Sequence, residues 1–315
     1  MSWLIGLDWG TSSLRAMLFD GEGNVHEARQ RTWGIRHLPE GGFDAALSAI
    51  CSDWPACPTL AAGMVGSRQG WREAPYVDTP ADIRIIAAHL VTVKSQDGRD
   101  IHIVPGVRDA GAPDVMRGEE TQLIGALDLH PEFHTGARLV LPGTHSKWVD
   151  LRDARIAGFA TMMTGELYAV LLNHSILGAH LTDTSTTERF DDRFDEGVRA
   201  ARASGPAGAL TRIFSSRALV LEGRLPAAAV PDYLSGLLIG EEWRAALAAG
   251  WIDSDQAVVL IGDEALCLRY RRAAALFDLP DPTWIADAAA RGLWRIAQAA
   301  SLTGDRPRAT KEFHA

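Results

Sequence analysis

The chain has 315 residues, 47% of them hydrophobic and 23% charged, with a formal net charge of -9. That balance fits a globular protein with a sizeable core, and it argues against a general nucleic-acid binder or a protein drawn to anionic membranes. No apolar run approaches the roughly 20 residues of a bilayer span, and Cys51, Cys57 and Cys267 form no CxxC pair, so reduced thiols and a cytoplasmic location are expected.

The opening MSWLIGLDWG has no basic segment and meets Asp8 early, so it is not expected to be a signal peptide. Strand and helix signals then alternate, which favours an α/β architecture. SWLIGLDWG and SLRAMLFD read as two strands joined by a Gly-Thr turn; Leu14, Ala16 and Leu18 of the second alternate with Arg15, Met17 and Phe19. DGEG is a turn, and NVHEARQRTWG supplies a third antiparallel strand. FDAALSAICSDW has helical spacing, TLAAGMVGS and IHIVPGV read as strands, and a helix runs through GEETQLIGAL. RLVLPGTHSKWVDLRDARIAGFATM then repeats the opening logic, with Gly143-Thr144 in the place of Gly10-Thr11.

Helices are expected through TGELYAVLLNHSILGAHL and VPDYLSGLLIGEEWRAALAAG, the latter closed by Gly250. AVVLIGD is a late strand ending at Gly262. The helix after it carries Leu266, Tyr270, Ala273, Ala274 and Phe277 on one face. DAAARGLWRIAQAASL is the last helix. Two similar halves follow from this order: residues 1–125, residues 126–302, and a flexible tail at 303–315, with the last helix a candidate to pack back on the first half.

Paired hairpins of this kind resemble the superfamily of sugar kinases, hexokinase, actin and the heat-shock chaperones. Longer stretches, GMVGSRQGWREAPY, DVMRGEETQLIGAL, LPGTHSKWV, MTGELYAVLLNHSILG and LSGLLIGEE, resemble the 2-dehydro-3-deoxygalactonokinase family from Trp3 to about Ala300. The departure is Asp263 and Glu264, where that family usually has small residues after the late-strand glycine. The resemblance implies two ribonuclease H-like (actin-like ATPase) domains facing each other across a nucleotide cleft. It implies an ATP- and magnesium-dependent kinase that phosphorylates the 6-hydroxyl of 2-dehydro-3-deoxy-D-galactonate in D-galactonate catabolism. Domain closure would exclude water, and a homodimer is an open expectation. The rival readings are a kinase of the same fold acting on another sugar or keto-acid, an actin-like nucleotide-dependent switch, and a silent relative that only binds a ligand.

Asp8 interrupts an apolar strand ahead of Gly10, Thr11, Ser12 and Ser13. Taken alone, the segment reads equally well as a tight turn with a capping aspartate. Alternatively its backbone amides cradle phosphate oxygens while Asp8 holds magnesium, directly or through water. The matching turn at Gly143 and Thr144 favours that second reading. Lys147 is either an added positive charge there or an exposed strand residue.

Glu119 and Glu120 open a helix, where acidic residues commonly complement the dipole. Adjacent helical residues point about 100 degrees apart, so the two cannot share one role. By resemblance Glu119 is the general base, with Glu120 the alternative. A sugar acid calls for an arginine on its carboxylate: Arg117 ranks first, ahead of Arg68 and Arg72, with Ser67 and Trp71 able to line the same pocket. Gly262 would border the adenine side, Asp263 caps the following helix, and Thr164, ahead of Gly165 and Glu166, reads as another cap. No P-loop, GxGxxG or GxSxG motif occurs, and His145 and His174 lack metal-ligand spacing.

Overall fold

A computed structural model describes residues 3–179 and 191–303. The end of the helix read through Leu181 and the tail beyond Thr303 lie outside those residues. The chain divides into two compact units: the first takes residues up to Gly136, Leu151–Phe159 and everything from Asp287, and the second takes Ala137–Asp150 and Ala160–Ala286. The division expected after residue 125 therefore falls after Gly136, and the chain crosses between units more than once. The helix from Glu119 runs on to Leu129, so a boundary at 125 would cut it in half.

The first unit opens with β1 (Leu4–Trp9), β2 (Leu14–Phe19) and β3 (Val25–Arg31). Helix α1 (Gly42–Ile50), β4 (Thr59–Ala62), β5 (Tyr76–Asp78), α2 (Ile83–Ala88) and β6 (Val91–Lys94) follow. IHIVPGV gives two strands rather than one, β7 (Asp100–Ile103) and β8 (Gly106–Arg108), which lie in different sheets. Pro105 between them cannot donate to a ladder, so it breaks the run. β9 (Val115–Met116) and α3 (Glu119–Leu129) complete the series.

The main sheet has the order β3-β2-β1-β4-β7-β6, with β1 antiparallel to β2 and parallel to β4. Leu4, Ile5, Leu7, Trp9, Leu14 and Leu60 are fully buried in it, as strands covered on both faces should be. The C-terminal helix, Ala288–Ala299, belongs to this unit and lies along α3, where Arg291 and Arg295 both pair with Asp128. Its buried stripe of Leu293, Trp294, Ile296 and Ala297 supplies the packing force.

The second sheet begins with β10 (Gly136–Leu141), which turns into β11 (Ser146–Arg152), and β12 (Arg155–Met162), whose first part counts with the first unit, leads to α4 (Thr164–His174). Four residues join β10 to β11, which permits an antiparallel pair and no crossover. Helices α5 (Asp191–Arg202), α6 (Ser215–Leu221) and α7 (Val230–Ala248) follow, then β13 (Val259–Ile261), α8 (Glu264–Leu276) and β14 (Thr283–Ile285). The sheet order is β12-β11-β10-β13-β14, with β10, β13 and β14 parallel. Trp148, Phe194, Trp243 and Tyr270 centre its core. Gly250 stands one residue beyond the cap of α7, with a left-handed backbone.

Candidate active site

In the first unit the turn between β1 and β2 is closed by Gly10 N–H on Ser13 O at 2.9 Å. A second segment props it from below: Ile35 N–H donates to Gly10 O at 3.1 Å and Arg36 N–H to Thr11 O at 3.3 Å. Ser12 is left exposed at the tip and Thr11 and Ser13 half-exposed, open to a ligand. Asp8, half-buried at the end of β1, has Arg15 opposite it on β2. Burial pushes its carboxyl up, Arg15 works against that, and nearby Glu119 raises it further. No hydrogen-bond donor among the described residues meets the Asp8 carboxylate. A cation would satisfy it.

Backbone shape brings the acidic helix start to the same place. Gly63 ends β4 and Gly118 precedes α3, both with positive φ (+92° and +104°), and a Cβ on Gly118 would sit 3.2 Å from Gly63 Cα. A Cβ on Gly63 would in turn sit 3.6 Å from Asp8 Oδ1 and 2.9 Å from Trp9 O. Side chains at either position would force the strand end and the helix start apart. Glu119 is half-buried and accepts Arg117 N–H at 3.0 Å. Glu120 is 0% exposed, accepts Gly118 N–H at 2.7 Å and the Thr121 hydroxyl at 3.0 Å, and is pushed up to about 8 by burial and by Glu119. Its carboxylate faces the fold, not a ligand, which argues against the catalytic alternative at that residue.

Arg117 is 9% exposed, and no carboxylate meets its guanidinium among the described residues. Its guanidinium donates to Ala74 O at 2.8 Å and lies 4.4 Å over the Tyr76 ring, while Nε and Nη1 are buried without an acceptor. Ser67 Oγ is buried and unpartnered as well, and neighbouring Gly66 would place a Cβ 3.0 Å from Arg117 Nη1. Buried donors without acceptors cost about 1–3 kcal/mol each, more when charged, and such groups commonly mark a site that a ligand completes. Arg68 and Arg72 are exposed. Trp71 is stacked on Phe43 with centroids 5.5 Å apart and lies edge-on to Trp9, so it is a wall of the core and not a platform for sugar.

The second unit is built differently. Gly143 and Thr144 lie on the start of α4: a Cβ on Gly165 would fall 2.5 Å from Gly143 O, and Glu166 N–H donates to Thr144 O at 3.0 Å. Beside them a cavity of about 360 Å³ opens, lined also by Thr164, Tyr168, Ser235, Leu238, Leu266 and Arg269. Arg269 is tied to Asp232 at 2.5 Å. Sequence reasoning missed this cavity, because its wall comes from α4, α7 and α8, which are far apart in the chain.

Two expectations need correction here, and a third residue lies outside the cavity. Lys147 is buried and donates to His145 O at 3.1 Å, so it presents no charge at the surface of the turn. Thr164 is not a cap; Met163 holds that place, and the Thr164 hydroxyl lies beside Glu242 instead. Gly262 is not part of the cavity lining, and its carbonyl accepts the Trp284 indole N–H at 3.1 Å. Asp263 does cap α8, accepting Leu266 N–H at 3.0 Å.

Among the described residues no cluster of three or more His, Cys, Asp or Glu forms a metal cage, and no helix is long and apolar enough to cross a membrane.

Fold and site together define a phosphotransferase of mixed α/β architecture. A solved structure from Sinorhizobium meliloti, named for the 2-dehydro-3-deoxygalactonokinases, is 37% identical, with TM-score 0.84 over 94% of this chain and 98% of that one. The chain belongs to the 2-keto-3-deoxy-galactonokinase family, whose model matches residues 8–296. The Escherichia coli K12 enzyme named 2-dehydro-3-deoxygalactonokinase is 39% identical over 273 residues, 85% of this chain and 88% of the relative. A Rhizobium meliloti relative bearing the same enzyme name is 40% identical over 307 residues, 92% of this chain and 97% of its own length. The fold alone is shared, at 13% identity and TM-score 0.50, with a Clostridium difficile dehydratase activator solved with ADPNP bound.

Proposed function

We propose that this chain transfers the γ-phosphate of ATP to the 6-hydroxyl of 2-dehydro-3-deoxy-D-galactonate. The observation that carries the reading is the buried, acceptor-less pair of N–H groups on Arg117 with Ser67 Oγ close by in the chain. A neutral sugar would leave that guanidinium uncompensated, whereas a carboxylate matches its fork geometry. The first unit thus binds the acid and the second the nucleotide. Each unit is an actin-like domain in this reading, supported by the repeated strand–Gly-Thr–strand hairpin.

Glu119 accepts the proton of the attacking hydroxyl, and its half-buried place at the start of α3 holds it ready without enclosing it. Within the second unit, the amides of Gly143-Thr144 take phosphate oxygens and the apolar wall of Leu238 and Leu266 receives the base; within the first unit, the Gly10 to Ser13 turn offers amides of the same kind. Asp8 fits a magnesium ion: it is an oxygen donor with no hydrogen-bond donor of its own, beside a second carboxylate. Magnesium bound with the triphosphate supplies neutralisation of the charge on its oxygens. Phosphates and water would complete the coordination.

An ADP-release assay over a panel of acceptors tests the reading. The expected result is turnover with the keto-deoxy sugar acid and loss of activity with its neutral analogues. Equal turnover with a neutral ketose, or ATP hydrolysis that ignores every acceptor, would contradict it.

A further inference from the structure

Glu242 plays no part in the chemistry described so far. It sits within α7 and is 1% exposed. Its Oε2 accepts the Trp148 indole N–H at 2.9 Å and its Oε1 accepts the Tyr270 hydroxyl at 2.7 Å. Thr164 and Ser146 also lie beside it, and their hydroxyls favour its charged form. A carboxylate has about four lone-pair sites, and four polar side chains surround this one. Stability alone does not explain such a residue, since replacing buried ionic groups by packed apolar ones is often neutral or better.

The origin of these side chains is informative. They come from β11, α4 and α8, and three of them lead to the nucleotide cavity. Thr164 and Tyr270 line it. Ser146 lies 3.0 Å from the Tyr270 hydroxyl, and its Oγ accepts Gly143 N–H at 3.4 Å. A serine has a single proton; giving it to the Glu242–Tyr270 pair leaves the oxygen to receive that amide. Thr164 is followed by Gly165, whose backbone underlies Gly143 and Thr144. The same carboxylate therefore anchors both supports of the turn, one through Ser146 and one through the start of α4.

We propose that Glu242 is a positioning residue for the nucleotide: it holds the Gly143-Thr144 turn and the adjoining cavity wall in the shape the phosphate chain needs. It touches no ligand itself. This rests on the reading that the cavity takes the nucleotide.

The test combines calorimetric ADP binding with separate KM values for ATP and the sugar acid, in Glu242→Leu, Glu242→Gln and Ser146→Ala. Glutamine keeps an oxygen for Trp148 and turns its amide to Tyr270, whose hydroxyl can accept, so it should rescue. Losing one such tie is expected to weaken ADP binding about tenfold in Glu242→Leu and Ser146→Ala, with the acid KM within about twofold and Glu242→Gln within about threefold of wild type. Ser146→Ala carries the test if Glu242→Leu fails to fold, because it cuts the last link and leaves the carboxylate in place. Unchanged ADP affinity in Ser146→Ala, or parallel loss of both substrates in every variant, would overturn the proposal. Ser235→Phe, which fills the cavity, separates the two ideas: if it leaves ADP binding intact, the nucleotide reading itself fails.

Discussion

Two buried polar groups, one in each unit, are handled in opposite ways. In the second unit, the Glu242 carboxylate accepts from Trp148 and Tyr270 with two hydroxyls beside it, and the cavity next to it is walled largely by carbon, including Leu238 and Leu266. In the first, Arg117 keeps two N–H groups and Ser67 its hydroxyl without acceptors, and Asp8 stands half-buried beside another carboxylate. Matched polar groups make a scaffold, because their geometry is already satisfied. Unmatched ones make a site, because a ligand gains what the fold leaves undone. The proposed function places acid recognition and chemistry in one unit and nucleotide grip in the other.

Substitutions in each unit should then separate kinetically. The largest effect is expected from Asp8→Asn, with turnover down about a hundredfold or more and the acid KM nearly unchanged. Intact turnover would remove the metal role. Next, Gly165→Ala drives a methyl to 2.5 Å from Gly143 O and 2.7 Å from Thr144 Cα. The ATP KM should rise about tenfold while the acid KM stays, and a reversed pattern would break the division of labour.

Glu120 gives a stability readout confined to the first unit. Its pKa is raised from 4.5 to about 8, so the folded chain holds this proton more tightly than the unfolded chain. The resulting stability is complete below about pH 4.5 and is lost as pH rises through about 8. Glu120→Gln should flatten that decline, raising the urea midpoint at pH 8.5 but not at pH 4, while keeping turnover. An unchanged pH profile would show that the carboxyl is not held neutral. Smallest in the series, Ser67→Ala should raise the acid KM several-fold, up to about tenfold, with no effect on ATP.

Much of this was legible in the chain. Gly10-Thr11 and Gly143-Thr144 announce their turns by their spacing between strands, and MRGEE contains the buried Arg117 and the half-buried Glu119 on which the proposed site rests. What failed had physical reasons. Trp71 looks like a sugar platform in sequence, yet its ring is used by Phe43 and Trp9. Lys147 alternates like an exposed residue, but its strand is covered on both faces, as buried Ser146, Trp148 and Val149 show. The cavity was invisible because no local pattern joins Tyr168, Ser235 and Arg269; tertiary packing alone brings them together. Glu242 read as one more acid in GEEW, and its burial follows from the fold and not from its neighbours in sequence.

The most direct test of the division is the acid KM of Arg117→Met set against its ATP KM. Methionine keeps the bulk and removes the guanidinium. Removing one partner of a buried charge pair should raise the acid KM about a hundredfold and leave the ATP KM where it was. An unchanged acid KM in the folded variant, or an equal rise for both substrates, would contradict the account.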